Sequence, residues 1–415
     1  MTNAAGQKQS GPLTGLNVLD LSHVMAGPTC ALLLADMGAD VIKVEKIPGG
    51  DDVRRSVPPA VAGESAAFLM MNRNKRGIAL NLKTEPGRAV LLRLLRGTDV
   101  LIENYRCGTM ERMGLGYDTL CTLNPRLIYC AISGFGRTGP YASRGGFDLI
   151  AQGMSGLMSI TGEGPGRPPV KVGAPITDIT AGILACMGIL AALHHRTSTG
   201  RGQMVDTSLF EAGIIHTYWQ SAICFATGQS PGPMGSRHPL NAPYQAFSTA
   251  DGWITVGAAN QDNWVRLLAA LEAPELGDDP RFANNAGRMR NLQALEEALI
   301  QIFKRKTSAE WLSRLAAAGV PSGPVLDVAQ MHADPQTLAR EMIVETTHPT
   351  AGRVKGIGLP VKFSDTPCRP CRPAPLFGQH TQEVLRENGF SNAEIDRLAA
   401  QGDVQRPDSM KDAAS

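Results

Sequence analysis

The sequence predicts an α/β fold in which a smaller α+β domain is inserted into a larger domain built on a doubly wound parallel sheet. Short apolar runs alternate with helical patterns through the first half of the chain, and this alternation is typical of parallel strands joined by crossover helices. After residue 227 the composition changes to the Pro/Gly-rich segment 228–243, which indicates a linker or a ligand-facing loop. The 415 residues are enough for two hydrophobic cores.

The larger domain is predicted from strand–helix–strand units that begin near the N-terminus. Leu16–Ser22 is a short apolar run, a helical pattern follows over Thr29–Met37, and Asp40–Glu45 is a second apolar run. A unit of this length joins parallel strands through a right-handed crossover. The pattern recurs, which indicates a Rossmann-like sheet that binds ligands at the carboxyl ends of its strands. Further strands are predicted at Gly77–Leu82, Asp99–Asn104 and Arg126–Ile132, and further helices at Pro86–Arg96 and Ile179–Leu193.

The smaller domain is predicted from a hairpin followed by helices. The hairpin spans Tyr244–Gly257 around a turn at Ala250–Gly252. The predicted domain boundaries are 1–227 and 341–415 for the larger domain and 228–340 for the smaller one. Helices are predicted at Asp206–Thr227, Trp264–Leu271, Leu292–Arg305, Ser308–Ala318, Thr381–Asn388 and Asn392–Gln401, and extended chain over Ala351–Thr366.

Composition favours a cytoplasmic protein without nucleic-acid or membrane partners. The net charge is +2 and 19% of the residues are charged, so no strong field would attract such partners. The N-terminus lacks the layout of a signal peptide, and the apolar run after Asp178 is shorter than a membrane span. The eight cysteines are scattered, which favours reduced thiols. Cys368 and Cys371 form a lone CxxC among prolines, and no ligand spacing predicts a metal.

The turn after the first predicted strand argues against an oxidoreductase that binds a nicotinamide or flavin dinucleotide. It runs from His23 to Pro28 as HVMAGP, without the glycines of a GxGxxG motif. In dinucleotide-binding folds those glycines let the backbone approach the pyrophosphate. An oxidoreductase therefore accounts for the alternating sheet but not for this turn.

Asp178 is the most informative single residue, because it stands between a Gly/Pro-rich segment and a long apolar helical pattern. One interpretation is a helix N-cap, since Asp is among the favoured capping residues. The other is a reactive carboxylate, ionised at neutral pH without an activating base and kept so by the positive end of the helix. Carboxylates serve as covalent nucleophiles. The residues around Asp178 leave both interpretations open.

Taken together, the motifs resemble those of the family III CoA-transferases, over about Leu13 to Gly402. The segments that carry this resemblance are LNVLDLSHVMAGP, GADVIKVEKIPGGDD, NRNKRGIALNLKTEPG, DVLIENYRCGTMERMGLGYDTL, NPRLIYCAISGFGRTGP, GGFDLIAQGMSGLMSITG, the helix after Asp178, TGRGQMVDTSLFEA and PLFGQHTQEVL. The resemblance implies that Asp178 is the nucleophile, forming first an acyl anhydride and then a CoA thioester. It also implies an interlocked homodimer, and CoA thioesters as substrates with no permanently bound cofactor.

The resemblance further implies a set of CoA contacts beyond the strand ends. These are His23, Val24, Lys46, Leu80, Lys83, Asn104, Tyr105, Arg106, Arg112 and Phe147. Backbone N–H groups of Gly232–Gly235 and of Gly257 are candidate donors to the tetrahedral intermediates. The basic cluster of Arg73, Lys75 and Arg76 is expected either to meet a phosphate or to face solvent.

Acceptor specificity is expected at Met25, Arg237 and His238. Met25 stands where formyl-CoA transferases have glutamine, and the loop around Arg237 lacks their run of glycines, so formyl or oxalyl transfer is not expected. An arginine fork recognises carboxylates well, and the loop resembles that of members using succinyl-CoA and glutarate. We therefore expect succinyl-CoA as the donor and a dicarboxylate as the acceptor.

Two other functions are compatible with much of the sequence. An α-methylacyl-CoA racemase resembles the same motifs, but it needs a base on each face of the α-carbon. By resemblance one base is a histidine at the position of Phe147, which cannot move a proton. A non-catalytic CoA-binding protein would leave the acid at position 178 unexplained.

Overall fold

The computed structural model describes residues 10–407, which divide into two compact units. The large unit comprises 10–155, 172–216 and 335–407, and the small unit comprises 156–171 and 217–334. The main part of the small unit therefore runs from Thr217 to Asp334 rather than over the predicted 228–340, and the unit also includes the earlier segment 156–171. Residues 1–9 and 408–415, the outer ends of the predicted larger domain, lie outside the described residues.

The secondary structure of the described residues alternates between strands and helices in the large unit. The strands are β1 (Asn17–Asp20), β2 (Asp40–Lys46), β3 (Ala60–Val61), β4 (Glu64–Ser65), β5 (Lys75–Leu80), β6 (Val100–Glu103), β7 (Ile128–Ser133), β8 (Met204–Ser208), β9 (Tyr244–Ser248), β10 (Trp253–Gly257), β11 (Ser322–Pro324), β12 (Ile343–His348), β13 (Gly352–Ile357) and β14 (Val404–Gln405). The helices are α1 (Ala26–Asp36), α2 (Ala66–Met71), α3 (Glu85–Leu95), α4 (Thr109–Arg112), α5 (Tyr117–Leu123), α6 (Asp148–Met154), α7 (Leu157–Ile160), α8 (Ile176–Thr199), α9 (Leu209–Ile214), α10 (Tyr218–Thr227), α11 (Gln261–Leu271), α12 (Pro274–Asp278), α13 (Asn285–Arg290), α14 (Leu292–Phe303), α15 (Ser308–Ala317), α16 (Val328–Ala333), α17 (Pro335–Ala339), α18 (Thr381–Glu387) and α19 (Asn392–Ala400).

The sheet of the large unit confirms the predicted α/β architecture. It has seven strands in the order β14-β5-β2-β1-β6-β7-β8, all parallel except the edge strand β14. The chain winds outward from β1 through β2 to β5, then crosses back to place β6 on the other side of β1. The sheet therefore has its topological switch point between β1 and β6, where sheets of this kind bind ligands.

Helices cover both faces of this sheet, as double winding requires. One face packs against α3, α5, α18 and α19 through buried apolar side chains such as Val90 and Ile395. The other face packs against α1 and α8, with Cys30 and Ala181 in that cluster. Because both faces are covered, burial along β2, β5 and β6 is nearly continuous instead of alternating.

The small residues of α8 are explained by its close packing on α1. A Cβ atom at Gly182 would lie 2.6 Å from the backbone oxygen of Ala26 and 2.7 Å from Cβ of Thr29, so the two helix backbones approach too closely for a side chain there. By length and composition α8 could also cross a membrane, but the core helix of a soluble protein passes the same test.

Several predicted elements differ from the observed ones. The predicted helix at Asp206–Thr227 is wrong at its start, because Met204–Ser208 forms β8 and pairs with β7 through Cys130 and Val205. The predicted extended segment Ala351–Thr366 includes β13, which pairs with β12 in an antiparallel hairpin. The edge strand β14 was not predicted, since its two residues carry too short a pattern to detect.

The small unit combines an antiparallel sheet of β9, β10 and β11 with packed helices. The predicted hairpin is confirmed, with Trp253 opposite Ser248 across its turn. Its core is formed by large side chains, including Phe247, Trp264 and Trp311. The three helices predicted here from apolar periodicity are present within a few residues as α11, α14 and α15.

Candidate active site

A cleft of about 330 Å³ opens at the switch point of the large unit's sheet. The loop after β1 contributes His23, Val24 and Met25 to its lining, and the loop after β6 contributes residues 104–107. The loop between β7 and α6 contributes Arg144 and Phe147, and the first turn of α8 contributes Asp178. The chain thus brings four sequence-distant segments to the edge of the sheet where α/β folds bind ligands.

Asp178 is not the N-cap of α8, so that interpretation is wrong. The N-cap position is Pro175, and Asp178 lies in the first helical turn. The capping contacts come instead from Asp148, whose Oδ1 accepts hydrogen bonds from the backbone N of Thr177 at 2.9 Å and from its Oγ1 at 2.8 Å. The other oxygen of Asp148 accepts from Nε2 of Gln152 at 2.7 Å. Because Asp148 satisfies the helix terminus, the side chain of Asp178 is available to the cleft.

The carboxyl group of Asp178 is held in a state that favours the proton. Burial raises its pKa to about 7, and the negative charge of Asp148 adds to the shift. Both effects oppose the charged form and outweigh the helix dipole. The expectation of full ionisation at neutral pH is therefore corrected, since a group with this pKa is about half protonated near pH 7. Once ionised, it is a more basic carboxylate than an exposed aspartate.

The two loops of the switch point are tied together by one amide. Oδ1 of Asn104 accepts a hydrogen bond from the backbone N of His23 at 2.9 Å, and its Nδ2 donates to the His23 carbonyl at 2.8 Å. The ring of Tyr105 packs edge-on against the imidazole of His23, with centroids 5.3 Å apart. Burial lowers the pKa of His23, so this imidazole is neutral at pH 7. These contacts hold the loops after β1 and β6 together at the edge of the sheet that borders the cleft.

Val24 has a left-handed backbone with φ of 68°, which is unusual for a β-branched residue and costs of order 1–3 kcal/mol. Its backbone N donates to Oδ1 of Asp51 at 3.1 Å. Asp51 is in turn paired with Lys43 at 2.9 Å, and Nζ of Lys43 donates to the carbonyl of Ser22 at 2.8 Å. The strained loop is therefore held in place from beneath by a buried ion pair.

A second buried ion pair lies next to the first and was missed by sequence reasoning. Nζ of Lys75 lies 3.0 Å from Oδ2 of Asp20, and both side chains are fully buried. The electrostatic neighbours of Asp20 include Lys43 as well as Lys75. The sequence signal that could have revealed this pair is a charged residue within an apolar run, as in VLDLS and VIKVE. We name Asp20, Lys43, Asp51 and Lys75 the buried charge cluster.

The basic cluster of the sequence does not face solvent, so that expectation for it is wrong. Its three cations are buried and paired within the large unit. Lys75 belongs to the buried charge cluster. The remaining pairs are Arg73 with Asp36, and Arg76 with Asp40, Glu383 and Glu387.

The residues expected to bind CoA fall into two groups. Most line the cleft or its rim: His23, Val24, Asn104, Tyr105, Arg106 and Phe147. The other four do not line it. Lys46 is exposed and pairs with Asp52 at 2.6 Å, and Lys83 is also exposed. Arg112 is exposed and donates to the side chain of Thr109.

Leu80 is corrected. It is fully buried in the core, opposite Val404 of β14, so its side chain offers no surface to an adenine ring.

The residues expected to bind the acceptor are occupied by other contacts in the small unit. The Nε–Nη2 edge of the Arg237 guanidinium donates to Oε2 of Glu296, with Nε at 3.0 Å, and Nη1 donates to the carbonyl of Met234 at 3.4 Å. The imidazole of His238 stacks on Tyr244 with centroids 5.1 Å apart. The expectation that this pair is free to bind a carboxylate is therefore corrected. Met25, the third expected residue, does line the cleft.

Two of the candidate backbone donors of the small unit are also engaged. The N of Gly235 donates to Gly162 O at 2.8 Å, and the N of Gly257 donates to Pro321 O at 2.9 Å. Neither can donate to a tetrahedral intermediate while those bonds persist.

Arg144 is a cleft residue that sequence reasoning missed. Like Arg106, it lines the cleft and has no ion pair with an acidic side chain in the described part of the chain. Its local sequence, ASRGG, resembles an ordinary polar loop, so only the fold reveals that it lines the same cleft as Asp178.

A larger cavity of about 530 Å³ lies elsewhere in the large unit, lined by Asp36, Arg73 and residues between 339 and 370. It adjoins the start of β5 and is remote from the switch point. Within the described residues, no group of His, Cys, Asp and Glu is placed to hold a metal ion.

Comparison with known proteins gives a consistent result over nearly the whole chain. The model of CoA-transferase family III matches residues 13–381. The chain is 38% identical to the succinyl-CoA:glutarate CoA-transferase of Mus musculus, over 95% of this chain and 91% of that protein. It is 42% identical to the acetyl-CoA:oxalate CoA-transferase of Acetobacter aceti, over 88% of this chain and 92% of that protein. The solved structure of a CAIB/BAIF family protein from Brucella suis superposes with a TM-score of 0.82 at 40% identity, covering 92% of this chain and 100% of that one.

Proposed function

The chain belongs to CoA-transferase family III, and from this premise we propose that it moves CoA from succinyl-CoA to a dicarboxylic acid through covalent intermediates on Asp178. That it is a CoA-transferase follows from the family. The donor, the acceptor and the covalent mechanism are the proposal.

One observation carries this proposal. Asp178 is the only acidic residue among those that line the switch-point cleft, and its pKa is raised to about 7. A carboxylate with a raised pKa is more basic and therefore a better nucleophile toward a thioester carbonyl. It needs no separate base, because the ionised fraction near pH 7 is already substantial.

The first half of the reaction transfers the acyl group and then CoA to the enzyme. A carboxylate oxygen of Asp178 attacks the thioester carbon of the donor, the C–S bond breaks, and CoA leaves as a thiolate. The thiolate then attacks the aspartyl carbon of the mixed anhydride and expels the donor acid as its carboxylate. The enzyme is left with a thioester between Asp178 and CoA.

The second half repeats these steps in reverse order. The acceptor carboxylate attacks the aspartyl thioester and releases CoA thiolate, which gives a new anhydride. The thiolate attacks the acyl carbon of the acceptor, and Asp178 leaves as a free carboxylate. Thioester and carboxylate are each conserved, so no water or phosphate compound is consumed. Water would hydrolyse both intermediates, and the partial burial of Asp178 limits its access.

The dicarboxylate part of the proposal rests on the named relatives and on charge. Relatives at 38% and 42% identity act on glutarate and oxalate, as their names state. The cleft carries two arginines, Arg106 and Arg144, that have no acidic partner among the described residues, and such cations suit acids with a second carboxylate.

A racemase is disfavoured because Phe147 stands at the position where the resemblance places one of its two bases. Proton transfer at an α-carbon needs a second base opposite Asp178. The neighbouring carboxylate, Asp148, already accepts three hydrogen bonds from Thr177 and Gln152. Phe147 lines the cleft but holds no proton.

A homodimer is part of the proposal, supported by an exposed apolar face on the large unit. Leu149 and Ile150 of α6 and Ile183 and Met187 of α8 are between 46% and 60% exposed. An apolar face of this kind is typical of an interface. Light scattering should give the dimer mass for the native chain, and Met187→Asp should shift it toward the monomer. Interlocking of the two chains, a cytoplasmic location and the absence of nucleic-acid and membrane partners also remain proposals.

The mechanism is tested by trapping the intermediate with hydroxylamine. With succinyl-CoA present, hydroxylamine should inactivate the enzyme and leave a hydroxamate on the peptide that contains Asp178, detected by mass spectrometry. Asp178→Asn should lose transfer while its affinity for CoA stays close to native. If inactivation needs no succinyl-CoA, or the modified residue is another one, the covalent role of Asp178 is wrong. Native affinity for CoA without any transfer would instead support a CoA-binding protein.

A further inference from the structure

Arg144 is an exposed cation that lines the cleft of Asp178. It lies in the loop between β7 and α6 and lines the same cleft as Asp178 and Met25. Its guanidinium has no acidic partner in the portion of the chain that the structure describes. By contrast Arg137, a few residues earlier, is paired with Glu103 and Glu111. An arginine left without a partner in a cleft is available to a ligand.

The side chain of Arg144 stacks on one aromatic ring, that of Tyr141. Its Cζ lies 4.0 Å from the ring centre of Tyr141, which places the guanidinium over the ring face. Tyr141 packs edge-on against Phe135 at 5.8 Å, and Phe135 contacts Phe210 at the same separation. A stacked guanidinium is partly immobilised before a ligand binds, so less side-chain entropy is lost on binding.

We propose that Arg144 binds the distal carboxylate of the dicarboxylic substrate while Asp178 reacts with the proximal acyl group. This rests on the proposed CoA-transfer through Asp178. The guanidinium can form two parallel hydrogen bonds to a carboxylate, which gives both affinity and orientation. It takes the role that the sequence suggested for Arg237, whose guanidinium is paired with Glu296.

The covalent mechanism makes this role symmetrical. The donor acid and the acceptor acid each form an anhydride with the same carboxylate of Asp178, so both occupy one acyl subsite at different stages. One cation therefore serves both substrates. Loss of Arg144 should therefore weaken the binding of a dicarboxylic donor and of a dicarboxylic acceptor alike. It should leave the binding of monocarboxylic substrates unchanged.

The test compares succinyl-CoA with butyryl-CoA, in which a methyl group replaces the distal carboxylate. The readout is the ratio of kcat/KM for the two donors in the formation of glutaryl-CoA from saturating glutarate. Arg144→Gln should lower kcat/KM for succinyl-CoA by about 10- to 100-fold, the size expected for a lost hydrogen-bonded charge, with little change for butyryl-CoA. Arg144→Lys keeps the charge but not the fork, so it should retain part of the selectivity. Arg201→Gln, an exposed arginine of the same unit outside the cleft, should match the native protein.

A second measurement covers the acceptor side and needs no activity with monocarboxylates. The KM for glutarate should rise in Arg144→Gln, while the dissociation constant of free CoA, measured by calorimetry, should not change. The proposal would be overturned by an equal loss of kcat/KM for both donors or by no change in kcat/KM for either. Weakened binding of free CoA would also overturn it, because Arg144 would then be a CoA contact. If the native protein neither transfers CoA nor forms the Asp178 adduct, the proposed function has failed, and not this inference alone.

Discussion

Replacing Asp178 with asparagine should make the large unit more stable at alkaline pH, although it removes the nucleophile. The pKa of Asp178 is raised from 3.8 to about 7 in the folded protein. The folded state therefore holds the proton more tightly than the unfolded state does. The stabilisation linked to that proton is complete below pH 3.8, declines as the pH rises, and is lost above about pH 7. Asparagine never ionises, so it avoids this loss.

The size of the effect follows from the shift. About three pKa units correspond to about 4 kcal/mol, at 1.36 kcal/mol per unit. Asp178 is partly exposed through the cleft, so solvent screens the charge and we expect about half of this, about 2 kcal/mol. The gain should be present at pH 8 and absent at pH 4.

The assay must report on the large unit alone, because unfolding of two units need not be two-state. All four tryptophans lie in the small unit, so tryptophan fluorescence would follow that unit instead. Amide hydrogen exchange of peptides from β1 and β6 gives the opening free energy of the sheet that carries Asp178. The comparison of Asp178→Asn with the native chain is made at both pH values.

A control of opposite sign is available in the same unit. The pKa of Asp52 is lowered, chiefly by its hydrogen bond from Lys46. Stability from Asp52 is thus present above the unfolded pKa and lost as pH falls, so Asp52→Asn should destabilise the unit slightly at pH 8, by less than about 1 kcal/mol. An equal effect of Asp178→Asn at pH 4 and pH 8 would refute the reasoning, since a gain independent of pH cannot come from ionisation.

Three further predictions concern contacts described above. Gly182→Ala should destabilise the large unit by about 1–3 kcal/mol, because the new Cβ would lie 2.6 Å from a backbone oxygen of α1; Gly173→Ala, with nothing within 4 Å, should be neutral in the same exchange experiment. Lys75→Met should cost about 3–5 kcal/mol by leaving Asp20 buried without its partner, and adding Asp20→Asn should recover part of that loss in a double-mutant cycle. Arg237→Gln should lower the melting temperature of the small unit slightly and leave the KM for glutarate unchanged, whereas a large rise in KM would restore that arginine to the acceptor site.

Much of the fold could be predicted because its signals are local. The run VLDL and the run VIKV are short, apolar and separated by one helical pattern, and the order of such units determines a parallel sheet. The prediction failed at Met204–Ser208 because these five residues directly precede a helix. A single helical pattern therefore seemed to cover both the strand and the helix. Its pairing with β7 depends on distant chain, which local periodicity does not record.

The site could be predicted only as far as its motifs extend. Asp178 was located from its motif, but the local sequence left open whether it caps the helix. The cap belongs to Asp148, thirty positions earlier in the chain, and nothing local to Asp178 indicates it. Arg237 was misjudged and Arg144 was missed for the same reason. Whether an arginine is available depends on whether an acidic side chain from elsewhere in the fold reaches it, as Glu296 reaches Arg237.

The buried charge cluster beneath the loop of Val24 limits how this enzyme can change by single substitutions. Removing one member leaves its partner charged and buried, at a cost of several kcal/mol, a large share of the total stability of a typical domain. Lys43 with Asp51, and Lys75 with Asp20, can therefore be replaced only as pairs, which makes these positions interdependent in any lineage or library. New substrate preferences are more accessible through the exposed loop around Arg144, where one exchange at a time leaves the cluster intact.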